Sequence, residues 1–346
     1  MKSVVIASAR RGSGKTSLTI GLSSALKGKC GYIKPFGDRL VYRKKRLWDY
    51  DAALISGILG LSEAAEAITI GFERAKLRFM YLPEELAAKV TELAQTMGGS
   101  KDVLLVEAGA DLAHGVSVKL DAISLARCLS ARLVIVVAGT DDTVVDDVAF
   151  VKERLDLGGV DFAGVVINKV HDIEEFKYTH MEDVTRLGVK VLGMLPFAAE
   201  LTQVSVRYLA EALFARVVAG EQGMDARIRT VFVGAMSADT AMRNPAFQKP
   251  GKLIITSGDR SDMVLAALEG NTAAIVLAHN ILPPPNIVSK ASERGIPLLL
   301  VPSDTFQVAK QVDDMEPLVQ REETDKIEML AQMVAKNVDV PALLGG

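Results

Sequence analysis

A glycine-rich turn near the N-terminus carries the residue types that bind phosphate. The segment from Ala9 to Thr16 reads ARRGSGKT and follows the apolar run SVVI. It fits the pattern G-x-x-x-x-G-K-[S/T] except at its first position, where Ala9 replaces glycine. In this pattern backbone amides and the lysine hold nucleotide phosphates, and the threonine hydroxyl meets Mg²⁺. We therefore predict a nucleotide site with Lys15 in a catalytic role; the predicted binding residues are Arg11, Gly12, Ser13, Gly14, Lys15, Thr16 and Ser17.

The alanine at the first position leaves this expectation in place. A residue other than glycine in left-handed backbone costs about 1 to 2 kcal/mol. Charge-assisted contacts to phosphate contribute about 1.5 to 3 kcal/mol each, and the helix expected from Lys15 adds its positive N-terminal end. The alternative is a glycine-rich turn that binds nothing. The order of strand, loop, Lys-Thr pair and helix favours the nucleotide site.

The elements that must position this loop alternate between short apolar runs and amphipathic segments, which is typical of a parallel α/β fold. Several runs are nearly continuous in Val, Ile and Leu, as strands covered on both faces should be. We predict a doubly wound, mostly parallel P-loop NTPase sheet followed by a second, smaller α/β domain, with domains at 1–218 and 228–346. The predicted strands are 3–8, 30–35, 102–109, 132–139, 162–169 and 189–196 in the first domain, and 230–235, 252–257, 273–278 and 297–302 in the second.

Composition limits the classes of protein. A chain of 346 residues is long for one domain, and 49% hydrophobic with 24% charged residues indicates a globular protein. The net charge of −3 gives no basic field for nucleic acid. No apolar run approaches the roughly 20 residues that span a bilayer, and the sequence has only two cysteines, Cys30 and Cys128. We expect a cytoplasmic protein without nucleic-acid or membrane partners.

Further segments match a known family in order and spacing. GYIKP (31–35), VEAGA (106–110), VVINK (165–169) and LGMLPF (192–197) resemble the dethiobiotin synthetase-like P-loop proteins, which include the N-terminal region of large phosphotransacetylases. The segments GAMSADTAM (234–242), KLIITSGDRSD (252–262) and GIPLLLVPSDTF (295–306) resemble the DRTGG domain that follows that region. The phosphotransacetylase catalytic domain has no counterpart among these segments.

The resemblance implies roles for individual residues. It implies that ATP is the nucleotide, that Thr16, Asp51 and Glu107 are the Mg²⁺ ligands, and that Lys34 acts on the substrate and the transferred phosphate. It also implies that Asn168 reads the adenine edge and that Pro196 belongs to the nucleotide site. Each implied role has an ordinary alternative: a helix cap for Asp51, with Asp49 a near neighbour that could be confused with it, a solvated strand end for Lys34 and a turn residue for Asn168.

Other segments depart from the family. PFGDRL follows Lys34 where dethiobiotin synthetases carry a small, hydroxyl-rich segment, which makes biotin synthesis doubtful. The run RKKR (43–46), beside Trp48, suggests either a lid for an anionic metabolite or a solvated loop. His114 lies after Glu107 and is interpreted either as a substrate contact or as a surface residue. In the second domain Ala278, His279 and Asn280 stand where a Thr-Gly-Gly is usual.

We predict a Mg²⁺·ATP-binding P-loop protein that hydrolyses ATP or transfers its γ-phosphate, with a regulatory DRTGG-like domain and a link to acyl-phosphate or coenzyme A metabolism. One alternative is an ATP-dependent ligase that activates a carboxylate or carbamate. The other is a regulator without catalysis that senses nucleotide and controls a partner enzyme of acyl-phosphate metabolism. The expected partners are nucleotide, a small anionic metabolite and further copies of the chain in a homo-oligomer.

Overall fold

The computed structural model describes residues 1–26, 29–43, 46–61, 64–99 and 101–346. The chain divides into two compact units. The first unit comprises residues 1–198 and 319–346, and the second comprises residues 199–318. The second unit is thus inserted between two parts of the first along the chain.

The first unit is built on a six-stranded sheet in the order β2-β5-β1-β6-β7-β8, with parallel neighbours throughout. Its central strands are buried along their length because helices cover both faces. A separate hairpin, β3-β4, precedes α2. The strands are β1 (Lys2–Ser8), β2 (Cys30–Ile33), β3 (Leu40–Arg43), β4 (Arg46–Asp49), β5 (Val103–Glu107), β6 (Arg132–Ala138), β7 (Asp161–Val170) and β8 (Val191–Pro196).

The helices of the first unit connect these strands and lie on both faces of the sheet. Short 3₁₀ turns occur at Ala65–Ile68 and Val116–Val118. The helices before the inserted unit are α1 (Lys15–Ala25), α2 (Tyr50–Leu59), α3 (Arg74–Met80), α4 (Pro83–Gly98), α5 (Ala122–Cys128), α6 (Asp142–Arg154), α7 (Ile173–Thr179) and α8 (Met181–Arg186).

The second unit has a five-stranded sheet in the order β10-β15-β14-β13-β12, parallel except at β10. A two-stranded ladder joins β9 and β11. Its strands are β9 (Val204–Ser205), β10 (Arg216–Ala219), β11 (Arg227–Ile228), β12 (Thr230–Val233), β13 (Lys252–Ser257), β14 (Thr272–Ala278) and β15 (Leu298–Leu300), and its helices are α9 (Ala199–Thr202), α10 (Val206–Ala212), α11 (Ala238–Met242), α12 (Pro245–Gln248), α13 (Ser261–Glu269), α14 (Pro285–Arg294) and α15 (Thr305–Asp313).

The chain then returns to the first unit with α16 (Thr324–Asn337) and α17 (Val340–Leu344). The fold class, an α/β protein with a parallel P-loop sheet and a smaller α/β unit, is confirmed. The predicted division at 1–218 and 228–346 differs from these units at two places: residues 199–218 belong to the second unit, and α16 belongs to the first. Its buried stripe, including Leu330 and Val334, packs on α1, and Asp339 N–H donates to the Leu192 carbonyl at 2.8 Å.

The structure also bears on a membrane location. Within the part of the chain that it describes, every helix is too short or too polar to cross a bilayer.

Candidate functional site

The phosphate loop lies between the end of β1 and the start of α1. Gly12 and Gly14 have φ values of 78° and 104°, in the left-handed region that favours glycine. Ala9 has no such φ, and its N–H donates to the Val136 carbonyl at 2.9 Å. The alanine therefore causes no backbone strain at the first position of the motif.

Three predicted residues meet at the mouth of this loop. Thr16 Oγ1 donates to Glu107 Oε1 at 2.9 Å, and Lys15 Nζ lies 4.0 Å from the same oxygen. Glu107 ends β5, next to β1, and Tyr32 OH donates to its Oε2 at 3.2 Å. Burial, together with the charge of nearby Asp51, raises the pKa of Glu107 to about 7. An ammonium, a hydroxyl and a carboxyl are thus gathered beside the phosphate-binding amides.

Lys34 lies in a cage of carboxylates rather than at a solvated strand end. Its amine contacts Asp38, Asp49 Oδ1 at 3.1 Å and Asp51 Oδ2 at 2.6 Å, and the side chain is fully buried. Burial opposes the charged form, but Asp51 and then Glu107 outweigh it and hold the pKa of Lys34 well above its ordinary value. The predicted contact of Lys34 with a substrate stays a prediction, since the structure shows its amine held by aspartates.

The two aspartates at the start of α2 have different roles. Asp49 caps the helix: its Oδ1 accepts from Ala52 N–H at 3.0 Å, and its Oδ2 accepts from the N–H groups of Asp38 and Arg39. Asp51 instead pairs with Lys34 and with Arg39, whose Nη1 lies 3.0 Å from Oδ1. Burial would raise the pKa of Asp51, but these two cations outweigh it and lower that pKa below its ordinary value.

Asn168 supports the phosphate loop. Its Nδ2 donates to the Ser13 carbonyl at 2.9 Å, and a Cβ added at Gly14 would meet Nδ2 at 2.0 Å. The next residue, Lys169, donates from Nζ to the Gly12 carbonyl at 2.8 Å. Base recognition by Asn168 stays a prediction. The role of Lys169 was missed, although it stands in the quoted VVINK segment.

A ring cluster lies on the loops beyond β2 and β5. The His114 ring packs on Phe36 with centroids 4.8 Å apart, and Arg74 Nη2 donates to His114 Nδ1 at 3.1 Å. Burial lowers the pKa of His114 below its ordinary value. The sequence predicts His114 only as a substrate contact or a surface residue. Its contacts with Phe36 and Arg74 could not be predicted, because no local pattern marks those residues.

The remaining predicted positions are placed as follows. Pro196 ends β8 opposite Val170. Arg10, which precedes the binding residues, pairs with Asp147 at 2.8 Å across to α6. The proposed lid at 43–46 falls largely outside the described residues, since Lys44 and Lys45 are not described. In the second unit His279 and Asn280 adopt positive φ values of 59° and 55°, where the DRTGG pattern has glycines.

The oxygen donors at the loop fit Mg²⁺. This ion takes one or two protein ligands together with phosphate oxygens and water, and Thr16 Oγ1 and Glu107 Oε1 lie side by side. Asp51 was predicted as a third ligand, but both of its oxygens are engaged by Lys34 and Arg39. Among the residues that the structure describes, no group of three or more His, Cys, Asp or Glu side chains could hold a metal alone.

Comparison with known proteins extends these observations. Residues 2–205 match the family described as AAA domain, and residues 208–315 match the DRTGG domain. The chain is 25% identical to a phosphate acetyltransferase of Pseudomonas aeruginosa over 98% of this chain and 51% of that protein, and 23% identical to one of Nitrosomonas europaea over 98% and 50%. The chain thus spans about half the length of the curated relatives it matches.

Two solved structures show low overall similarity to this chain. One is the septum site-determining protein MinD with Mg-ADP from Pyrococcus horikoshii, at 20% identity, covering 58% of this chain and 83% of that chain with a TM-score of 0.36. The other contains the CBS and DRTGG domains of the regulatory region of Clostridium perfringens pyrophosphatase, at 21% identity, covering 34% and 50% with a TM-score of 0.30. The predicted pairing of a P-loop domain with a DRTGG domain, as in large phosphotransacetylases, is confirmed.

Proposed function

Because the chain belongs to the AAA domain family over residues 2–205 and carries a DRTGG domain over residues 208–315, we propose that it is a Mg²⁺·ATP-binding regulatory protein of acyl-phosphate metabolism. The observation that carries this proposal is the meeting of Lys15, Thr16 and Glu107 beside a loop whose two glycines have left-handed backbone. The regulated reaction is that of a phosphate acetyltransferase-type catalytic region, since the matched relatives are phosphate acetyltransferases.

The residues of the loop act by binding and orienting phosphate. The N–H groups at the start of α1 face anionic oxygens, and Lys15 supplies a buried positive charge there. Thr16 and Glu107 would hold Mg²⁺, whose charge would offset that of the phosphates. Asn168 and Lys169 hold the Ser13 and Gly12 carbonyls, so the amides are fixed before the nucleotide arrives.

The carboxylate cage around Lys34 favours a regulatory site over a ligase site. Any turnover of ATP at this site would be hydrolysis. A synthetase-type ligase would need this lysine to hold an acceptor and the transferred phosphate, whereas three aspartates surround its amine. Freeing it would leave buried carboxylates unpaired, at a cost of about 3 to 5 kcal/mol.

The proposal also includes a cytoplasmic location and a homo-oligomer, as expected from the sequence.

Isothermal calorimetry with Mg²⁺·ATP tests the binding. We expect saturable binding by the parent protein and by Lys290→Ala, which removes a lysine of the second unit paired with Glu269. We expect Lys15→Ala to lose at least about tenfold in affinity, or about 1.4 kcal/mol. No saturable binding by the parent, or equal affinity in Lys15→Ala, would refute the proposal.

Phosphate release distinguishes the regulator from the ligase. We expect release from ATP to be slow or absent and unchanged by a panel of small carboxylates and amines. A burst of release with one of these acceptors would instead establish ligase chemistry.

A further inference from the structure

Helix α16 lies outside both family matches, which end at residues 205 and 315, yet it packs against the helix of the phosphate loop. The two helices approach closely at Gly21 of α1. A Cβ added there would lie 2.3 Å from Val334 Cγ2 and 2.8 Å from the Leu330 carbonyl oxygen. Leu330 and Val334 are buried, so α16 forms part of the packing that holds α1.

The segment before α16 contacts the second helix of the site. Tyr50 OH, at the start of α2, donates to the Val319 carbonyl at 2.9 Å. Further along α2, a Cβ added at Gly57 would meet the Arg321 side chain at 3.3 Å. The same helix carries Asp51, which pairs with Lys34 and Arg39.

These contacts join one chain segment to two helices. The first residues of α1 belong to the phosphate loop, and those of α2 surround the Lys34 amine. α1 begins at Lys15 and Thr16, and α2 begins beside Asp49 and Asp51. Packed helices move as rigid bodies, because close-packed interiors transmit displacement instead of absorbing it. A shift of either helix at its phosphate end therefore displaces the side chains of residues 319–337 that pack on it.

We propose that residues 319–337 are a positioning element of the nucleotide site. They hold the phosphate loop in its binding geometry. Binding of nucleotide in turn makes these residues, which begin where the chain leaves the second unit, more ordered. The second half of this proposal rests on the proposed function; the first half does not.

Hydrogen exchange without nucleotide tests the positioning role. We expect Gly21→Ala to speed amide exchange in the phosphate loop and the first turn of α1 by about tenfold, or about 1.4 kcal/mol. The matched control is Gly98→Ala, where the nearest atoms to the added methyl belong to the flexible side chain of Met1. Adding Val334→Ala to Gly21→Ala removes the nearest contact, so we expect partial recovery.

If Gly21→Ala does not fold, Val334→Ala alone serves as the second variant, since it loosens the same contact without displacing either backbone. Unchanged exchange in the phosphate loop of whichever variant folds would overturn the positioning role, even if the protein bound no nucleotide.

Exchange with saturating Mg²⁺·ATP tests the coupling. At a Mg²⁺·ATP concentration that saturates the parent but not Lys15→Ala, we expect slower exchange in residues 319–337 of the parent and a much smaller change in Lys15→Ala. A segment with a purely structural role would exchange equally with and without nucleotide. Binding shown by calorimetry without protection of this segment would overturn the coupling and leave the proposed function standing, whereas absence of binding would defeat both.

Discussion

At the scale of single residues, Lys34 shows how a predicted catalytic group can be held by its surroundings. Its buried amine pairs with Asp38, Asp49 and Asp51. We expect Lys34→Met to lower the free energy of unfolding by about 3 to 5 kcal/mol, because unpaired carboxylates would remain buried. Urea denaturation measures this loss. Lys15→Ala serves as the comparison. If Lys34 had a catalytic role but no structural one, Lys34→Met and Lys15→Ala would have equal free energies of unfolding.

Lys252, at the start of β13, is a buried cation without a carboxylate partner among the ion pairs of the described chain. Its Nζ lies 5.0 Å from the centroid of the Phe247 ring, and burial lowers the pKa of this lysine below its ordinary 10.5. The unfolded chain therefore binds more protons between the folded pKa and 10.5, so stability rises with pH across that window.

We expect Lys252→Met to unfold at higher urea concentration than the parent at pH 7, with the difference shrinking as the pH approaches 10.5. The exposed Lys249→Met is the control and should show no such trend. A pH-independent difference between Lys252→Met and the parent would argue against a buried charge as its cause.

At the scale of elements, the two glycines of the phosphate loop should differ in their tolerance of a side chain. A Cβ at Gly12 would meet nothing within 4 Å, so Gly12→Ala bears only the cost of its left-handed φ, about 1 to 2 kcal/mol. At Gly14 the added atom would also strike Asn168 Nδ2. We expect Gly14→Ala to weaken Mg²⁺·ATP binding and stability more than Gly12→Ala, as measured by calorimetry and urea denaturation. Equal losses would show that the Asn168 contact does not constrain the loop.

The elements also show what the sequence could and could not predict. The ten predicted strands all correspond to observed ones, for example 252–257 with β13, because strands covered on both faces are nearly continuous apolar runs. β10 was not predicted: Arg216–Ala219 pairs antiparallel at a sheet edge and begins four residues after the end of α10, so its sequence continues the helical segment without a clear break. The carboxylate cage around Lys34 could not be predicted from the sequence either. It depends on the tertiary contacts that bring Asp38 and Asp49 to the end of β2.

At the scale of the whole molecule, the first unit is built from two separate parts of the chain. These parts are residues 1–198 and 319–346, and the second unit lies between them in sequence. The predicted domain bounds place α16 with the second unit, since its buried stripe fits any apolar surface and does not reveal its neighbour. The contact with Gly21, together with the bridge between Gly193 and Val338, fixes it in the first unit. The first unit is therefore completed only after the second has been synthesised.

This topology predicts that the two units differ in their ability to fold alone. In β13, Leu253 and Ile254 belong to apolar clusters on opposite faces of the second sheet, and both clusters lie within residues 199–318. We expect the isolated fragment 199–318 to unfold cooperatively in thermal denaturation followed by circular dichroism. The fragment 1–198 should lack a cooperative transition, since removing α16 exposes the face of α1 around Gly21. A stable fragment 1–198 would mean that residues 319–346 add little to the first unit, and would count against the role of α16 in positioning the phosphate loop.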